Sequence, residues 1–355
     1  MNIAFFALNQ SFCGSILEEL QAKHTVRNFK PSGVKAHDYA NIVGLINWCD
    51  LIYCDFIQTP MPEITQLQFL DKPLVARMDG IDIMNHLIVD WRKVSALILM
   101  PIQEKRLERL RRIWRKENPE KKLPPLPKKI LKRNVGIDLS LFQPNLQKEP
   151  GYKIVLHATV IRDTKGVYEA IQSFNRLLEV YGRTESSEIP WQLTIIGQWE
   201  GGYQWPERQE YVMCCQELIE DLQFPPGRIG IIKGNLSRQR WAQYLKEEAD
   251  FYWCFSKREG FPNSVGEACA SGVVPVMNKF YGAELIYPPE FLCKSPTEII
   301  ERTIEFGFLS KDRRQEFRKA ARAHIEQFDR YRTAVEIREL CEEIFSEWQL
   351  KAKQS

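Results

Sequence analysis

The chain has 355 residues, a formal net charge of +3 and 44% hydrophobic residues. That length exceeds one ordinary core, so two domains are expected, and the near-balanced charge gives no general case for nucleic-acid binding. No apolar run reaches the length of a bilayer-spanning helix, and nine cysteines without a Cys-x-x-Cys pair or histidines at ligand spacing argue against a zinc site or disulfide framework and for a reducing compartment.

The first residues lack the basic n-region of a secretory signal and read as a strand over 2–8. Gly14 introduces a helix over 15–23. A strand over 25–29, an amphipathic helix over 38–47 and strands over 50–54, 74–78 and 96–100 follow, and 130–134 closes this half. Strands spaced by helices indicate βαβ units around a parallel sheet. Residues 138–151, with Pro144 and Pro150, form the best interdomain linker. The second half repeats the rhythm: strands over 153–157, 191–196, 229–232 and 251–255, and helices over 166–180, 207–222 and 238–247. Helices over 297–306, 311–327 and 333–350 end the chain.

Glu259 and Glu267 bracket Gly260-Phe261-Pro262-Asn263-Ser264-Val265-Gly266. Gly260 and Pro262 forbid regular structure at the start. Asn263 or Ser264 is placed to cap a helix that runs to Ala270 and stops at Ser271-Gly272. A buried strand, 273–277, follows at once. Glu259 then stands on the loop before the helix and Glu267 on its first turns. The free amides and partial positive charge of the helix N-terminus suit a phosphate. Carboxylates on either side of a phosphate seat fit a ligand with hydroxyls at both ends. A nucleotide sugar is such a ligand, with ribose on one side and hexose on the other.

The Glu-Gly-Phe-Pro-Asn wording with its second Glu, and the Ser271-Gly272-Val273-Val274-Pro275-Val276 run after it, resemble the retaining glycosyltransferases of the GT-B fold, in particular the large family 4. Thr164-Lys165-Gly166 is similar to that family's phosphate loop. Asn134-Val135-Gly136-Ile137-Asp138, with Phe142 and Pro144, is similar to its linker signature, and Gly80-Ile81-Asp82 to its mid-domain turn. The likeness is strong over the second half and weaker over the first. It implies an α/β protein with two Rossmann-like domains facing across a cleft. Residues 1–145 would form the acceptor-side domain and 146–330 the nucleotide-sugar domain, with 331–355 crossing back as a C-terminal helix. It also implies a cytoplasmic enzyme of polysaccharide biosynthesis.

Under this resemblance Glu267 binds the donor ribose, since a carboxylate accepts two hydrogen bonds from a vicinal diol; otherwise it is a solvated helix residue. Glu259 contacts the transferred sugar, or caps the helix as a turn carboxylate. The segment Gly260, Phe261, Pro262, Asn263, Ser264 and Val265 lies against the sugar and distal phosphate, using its backbone amides. Lys165 neutralises the diphosphate as charge grows on the leaving oxygen. The family places an arginine five or six residues earlier, at the positions of Val160 and Thr159. Arg162 stands in for it, or is a surface arginine. Gly14 lets the first loop approach the phosphates, or simply starts a helix. Asp79 replaces the family's usual histidine. It hydrogen-bonds a sugar hydroxyl, acts on the acceptor hydroxyl, or caps a turn.

No residue is an obvious nucleophile for a double displacement, so attack on the front face of the sugar is the simpler expectation. Lys165 and the helix terminus would carry the phosphate charge, and there is no Asp-x-Asp motif, so neither metal nor cofactor is expected. The nucleoside diphosphate sugar is a co-substrate, and a glycan or lipid-linked glycan is the acceptor. The basic segment 105–132 includes Lys105, Arg106, Arg109, Arg111, Arg112, Arg115 and Lys116. It reads as a solvated face, as a contact for anionic lipid with Leu110 and Trp114 entering the interface, or as a seat for an anionic acceptor, nucleic acid being less favoured. The membrane reading would place the enzyme on the inner membrane face. Trp199, Tyr203 and Trp205 read as core packing or as stacking platforms. Three rivals stay open: a GT-B nucleotide-sugar epimerase, a transferase acting on modified nucleic acid, and a non-catalytic nucleotide-sugar-binding protein.

Overall fold

The computed structural model describes residues 1–7, 13–80, 83–134, 136–181, 190–200 and 206–354. Its contacts divide the chain into one unit of Met1–Gly136 with Phe328–Ser355, and a second of Ile137–Gln327.

The first unit is built on β1 (Asn2–Ala7), β2 (Thr25–Asn28), β3 (Leu51–Asp55), β4 (Leu74–Met78), β5 (Ala96–Leu99) and β6 (Lys129–Lys132). They form a parallel sheet in the order β2-β1-β3-β4-β5-β6. β3, β4 and β5 are buried along their whole length, as strands covered on both faces of a parallel sheet are. Helix α1 (Gly14–Lys23) and the C-terminal helix, Arg330–Ala352, cover one face: Ile16, Leu17 and Leu20 share a core with Ile337, Leu340 and Ile344. The other face packs on α2 (Lys35–Trp48), α3 (Met61–Gln66) and α4 (Pro101–Glu117), through residues such as Ile46, Ile64 and Leu107. Asp329 caps the C-terminal helix by accepting from the Tyr331 and Arg332 amides.

The first strand is described to Ala7, and Leu8 lies outside the described residues. Two elements depart from the sequence reading. Helix α2 begins at Lys35, a turn earlier than expected. Helix α3 was not expected. Pro62 sits in the first turn, where a missing N–H costs nothing.

The second unit contains β7 (Lys153–Val160), β8 (Gln192–Gln198), β9 (Ile229–Lys233), β10 (Phe251–Cys254), β11 (Val274–Asn278) and β12 (Leu292–Cys293). They form a second parallel sheet, ordered β12-β11-β10-β7-β8-β9. Its helices are α5 (Val167–Tyr181), α6 (Pro206–Leu222), α7 (Arg238–Glu247), α8 (Asn263–Ala270), α9 (Pro296–Phe308) and α10 (Lys311–Ile325). The chain enters at β7, runs outward to β9, then returns to lay β10 on the other side of β7. The loops after β7 and β10 therefore leave in opposite directions. This is the topological switch point where open α/β sheets bind ligands.

Residues 138–151 are not a free linker. Ile137, Leu139 and Phe142 are buried. Arg318 ties the segment to the second unit by donating to the carbonyls of Asn145 (2.9 Å), Lys148 (2.7 Å) and Gly272 (2.9 Å). Pro144 and Pro150 thus stiffen a packed strap. The chain changes unit earlier, after Gly136. That residue has φ +88°, and an added Cβ would lie 2.6 Å from Arg330 Cα, so only glycine fits there.

Candidate functional site

The loops after β7 and β10 are locked together. Gly166 takes φ +66°, and an added Cβ would fall 2.5 Å from the Phe255 carbonyl oxygen. The glycine therefore lets the Lys165 turn press against the end of β10. The Lys257 amide donates to Thr164 O at 2.9 Å. Lys257 Nζ pairs with Asp163 (2.6 Å) and Glu169 (2.8 Å). Between the loops lies an open recess lined by His157, Lys165, Tyr252, Ser256, Glu259 and Ser264 among others. Lys165 Nζ meets Glu259 Oε1 at 2.5 Å. Both remain partly accessible, at 25% and 14% side-chain exposure, so an entering anion or hydroxyl can compete for either partner.

Helix α8 starts at Asn263, with Pro262 as N-cap and no side-chain cap. The expected capping by Asn263 or Ser264 does not occur. Both lie inside the helix, and the Ser264 hydroxyl is 2.7 Å from Tyr252 OH instead. Tyr252 OH also stands 3.1 Å from the His157 carbonyl oxygen. The Val265 amide donates to Pro262 O at 3.0 Å, so it belongs to the turn itself. The amides of Asn263 and Ser264 lead the helix, where no intrahelical acceptor exists. Gly272 ends the element with φ +71°, the left-handed conformation of a helix C-terminus.

Glu267 lies against α7. Its Oε2 accepts from Trp241 Nε1 at 2.8 Å, and Arg238 Nη2 is 4.0 Å from Oε1. Glu267 keeps 13% side-chain exposure. Glu259, Lys165, Ser264 and the Pro262 turn thus share the recess, while Glu267 is held beside it by a neighbouring helix. Arg162 is exposed at the start of the Lys165 turn. Gly14 and Asp79 belong to the first unit. Gly14 opens α1, and a Cβ there would meet nothing within 4 Å. Asp79 is half-buried and accepts from the Gly80 amide. Ile81 and Asp82 of the Gly-x-Asp turn, and Val135 of the linker signature, lie outside the described residues.

Of the aromatic cluster, Trp199 is buried, in keeping with packing; Tyr203 and Trp205 lie outside the described residues. Cys215 is buried, which pushes its thiol up to about 12. Cys214, beside it in sequence, is exposed. On α4, Lys105, Arg109, Arg112, Arg115 and Lys116 are exposed, but Arg111 is buried and donates to Pro124 O. Leu110 packs on the core of the first unit, so it is not available to enter a lipid interface. No described helix is long and apolar enough to cross a membrane.

Sequence reasoning missed His157, Tyr252 and Trp241. The His157 ring packs on Trp241, centroids 4.7 Å apart. Burial pushes its pKa down to about 4; Asn235 favours the charged ring and Lys165 opposes it. Both ring nitrogens are buried. The ring is therefore neutral near pH 7. The only available signal was its place at the end of a strand entering the switch point, and that cannot be weighed until strand order is known.

The family model "Glycosyl transferases group 1" matches residues 141–324. No curated protein sequence gives a significant match. Among solved structures, sucrose-phosphate synthase from Thermosynechococcus elongatus superposes with a TM-score of 0.69 at 14% identity, over 98% of this chain and 100% of that one. A UDP-forming α,α-trehalose-phosphate synthase from Burkholderia xenovorans gives 0.71 at 12% identity, over 97% and 98%. The pneumococcal O-GlcNAc transferase, in complex with UDP and GlcNAc, gives 0.59 at 14% identity, over 87% and 60%. These similarities identify the GT-B fold.

Proposed function

The chain belongs to the group 1 glycosyl transferases, and we propose that it is a retaining, family 4-like member. It moves a hexose-type sugar from a nucleoside diphosphate sugar to a glycan or lipid-linked glycan, as a cytoplasmic step of polysaccharide biosynthesis. The observation that carries this reading is the Lys165–Glu259 pair, partly accessible in an open recess at a switch point. The structures with similar folds include one solved with UDP and GlcNAc, which supports a nucleotide-sugar ligand.

In this reading the donor diphosphate enters against the leading amides of α8 and draws Lys165 from Glu259. Glu259 is then available to the sugar hydroxyls, and Glu267 to the ribose. The bond from the anomeric carbon to the distal phosphate oxygen breaks, and one to the acceptor oxygen forms on the same face. The acceptor proton passes to the departing phosphate. Lys165 and the fixed amides offset the charge gathering there, so the step requires no metal. Arg162, on the same turn, supplies a second cation, and Asp79 acts on a sugar or acceptor hydroxyl. Gly14 lets the first loop of its unit approach phosphate.

Incubation with UDP-, GDP- and ADP-sugars and oligosaccharide or lipid-linked acceptors tests the reading. Proton NMR of the product is expected to show the donor's anomeric configuration, with activity unchanged by a chelator. An inverted product, or a sugar adduct trapped on the protein, overturns retention by front-face attack. A new sugar isomer from donor alone marks an epimerase, and binding without turnover under every acceptor marks a non-catalytic binder. The exposed cations of α4 favour a further contact with anionic lipid at the inner membrane face. Flotation with anionic vesicles at low salt tests it, and failure to float removes it.

A further inference from the structure

A glutamate's terminal torsion is broad, so a carboxylate that must meet two hydroxyls at once needs something to set its rotation. Glu267 has such a device. Trp241 on α7 is 3% exposed, and three rings surround its indole: His157 at 4.7 Å, Tyr244 stacked at 6.1 Å and Tyr252 edge-on at 6.4 Å. His157 comes from β7 and Tyr252 from β10, the two strands of the switch point. The direction of the indole N–H is therefore set by the sheet itself. That N–H, which can only donate, meets Glu267 Oε2 at 2.8 Å.

We infer that Trp241 is a positioning residue for the donor site, its indole N–H fixing the Glu267 carboxylate in the orientation that receives a ribose diol. The inference rests on the proposed role of Glu267. An ionised carboxylate has about four acceptor positions, and the indole needs only one. A charge-assisted bond from a rigid donor is stronger than a neutral one, and here it acts on a side chain that retains access to solvent. The ring packed behind the indole is neutral near pH 7. It therefore adds no positive charge that would draw the carboxylate away from a hydroxyl donor.

Calorimetry with uridine, guanosine and adenosine diphosphates, their 2′-deoxy forms and inorganic pyrophosphate tests this. For the tightest-binding base, the wild type is expected to prefer the ribo form at least tenfold. Glu267→Gln is expected to bring that ratio close to one. Trp241→Phe keeps an aromatic ring in the core but removes the N–H together with part of the indole's bulk, and pyrophosphate binding serves as the control for that loss of packing. The variant is expected to cut the ratio threefold or more while pyrophosphate affinity stays constant, an effect that mere core filling would not produce. If Glu267→Gln collapses the ratio and Trp241→Phe preserves it, the positioning role is overturned and the donor site stands. If Glu267→Gln leaves the ratio intact, or the wild type binds no nucleotide, the role of Glu267 falls and that of Trp241 falls with it. Should Trp241→Phe not fold, the indole ¹⁵N–¹H signal of Trp241 in the wild type decides. It is expected to move further with the ribo than with the deoxy nucleotide, and equal movement overturns the proposal.

Discussion

Each sheet carries an acid–base pair at the carboxyl ends of its strands, and the two pairs are built for opposite purposes. In the first unit Arg77 and Asp55 sit on neighbouring strands and are sealed, at 6% and 0% side-chain exposure. Their contact is bidentate, Nε to Oδ1 at 2.6 Å and Nη2 to Oδ2 at 2.8 Å. Burial alone would lower the Arg77 pKa, but Asp55 more than offsets this and raises it. In the second unit Lys165 and Glu259 sit on loops, touch through one oxygen and stay partly exposed. A forked pair on strands fixes geometry, whereas a single contact between loop residues can be exchanged for a ligand.

The largest effect should come from breaking the sealed pair. Asp55→Ala leaves a buried guanidinium without its carboxylate and is expected to cost about 3–5 kcal/mol of stability in urea unfolding. Lys165→Ala should barely move the melting temperature but lower kcat about 10²–10³-fold, since it removes a preorganised charge from the reaction site. A large stability loss with normal turnover would reverse the contrast between the two pairs.

His157 adds a pH test. Its folded pKa, about 4, lies below the ordinary 6.5. The unfolded chain therefore takes up the proton first as pH falls. The stability linked to the neutral ring is complete above about pH 6.5 and is lost on the way to pH 4, a difference of about 3 kcal/mol. His157→Phe should flatten that part of the stability–pH curve, and an unchanged slope would remove the neutral-ring assignment. Gly166→Ala is expected to cost about 1–3 kcal/mol, from its left-handed backbone and the clash with Phe255. It should also weaken nucleoside diphosphate binding, read by calorimetry. Smallest of all, Glu259→Gln should change stability by less than about 1 kcal/mol, because its ion pair is accessible to solvent. Its expected loss is in turnover.

Much of the architecture was legible in local signals. Strand and helix periods, Gly272 as a helix stop and the buried strand after it are read from neighbours along the chain. The Glu259–Glu267 element was also visible, because its glycines and proline set the loop before the helix, while the Lys165 turn was recognised only by its resemblance to a family motif. What folding decided was which groups meet. Lys165 and Glu259 are 94 positions apart and Trp241 and Glu267 are 26 apart, and no local pattern encodes either contact. The strap at 138–151 read as a linker because its prolines are visible in sequence, while the arginine that pins it comes from α10. His157 looked like any strand residue until β10 was laid beside β7. Side-chain chemistry and turn propensity are properties of short segments, but burial, pairing and pKa depend on strand order, and strand order is settled only when the whole sheet closes.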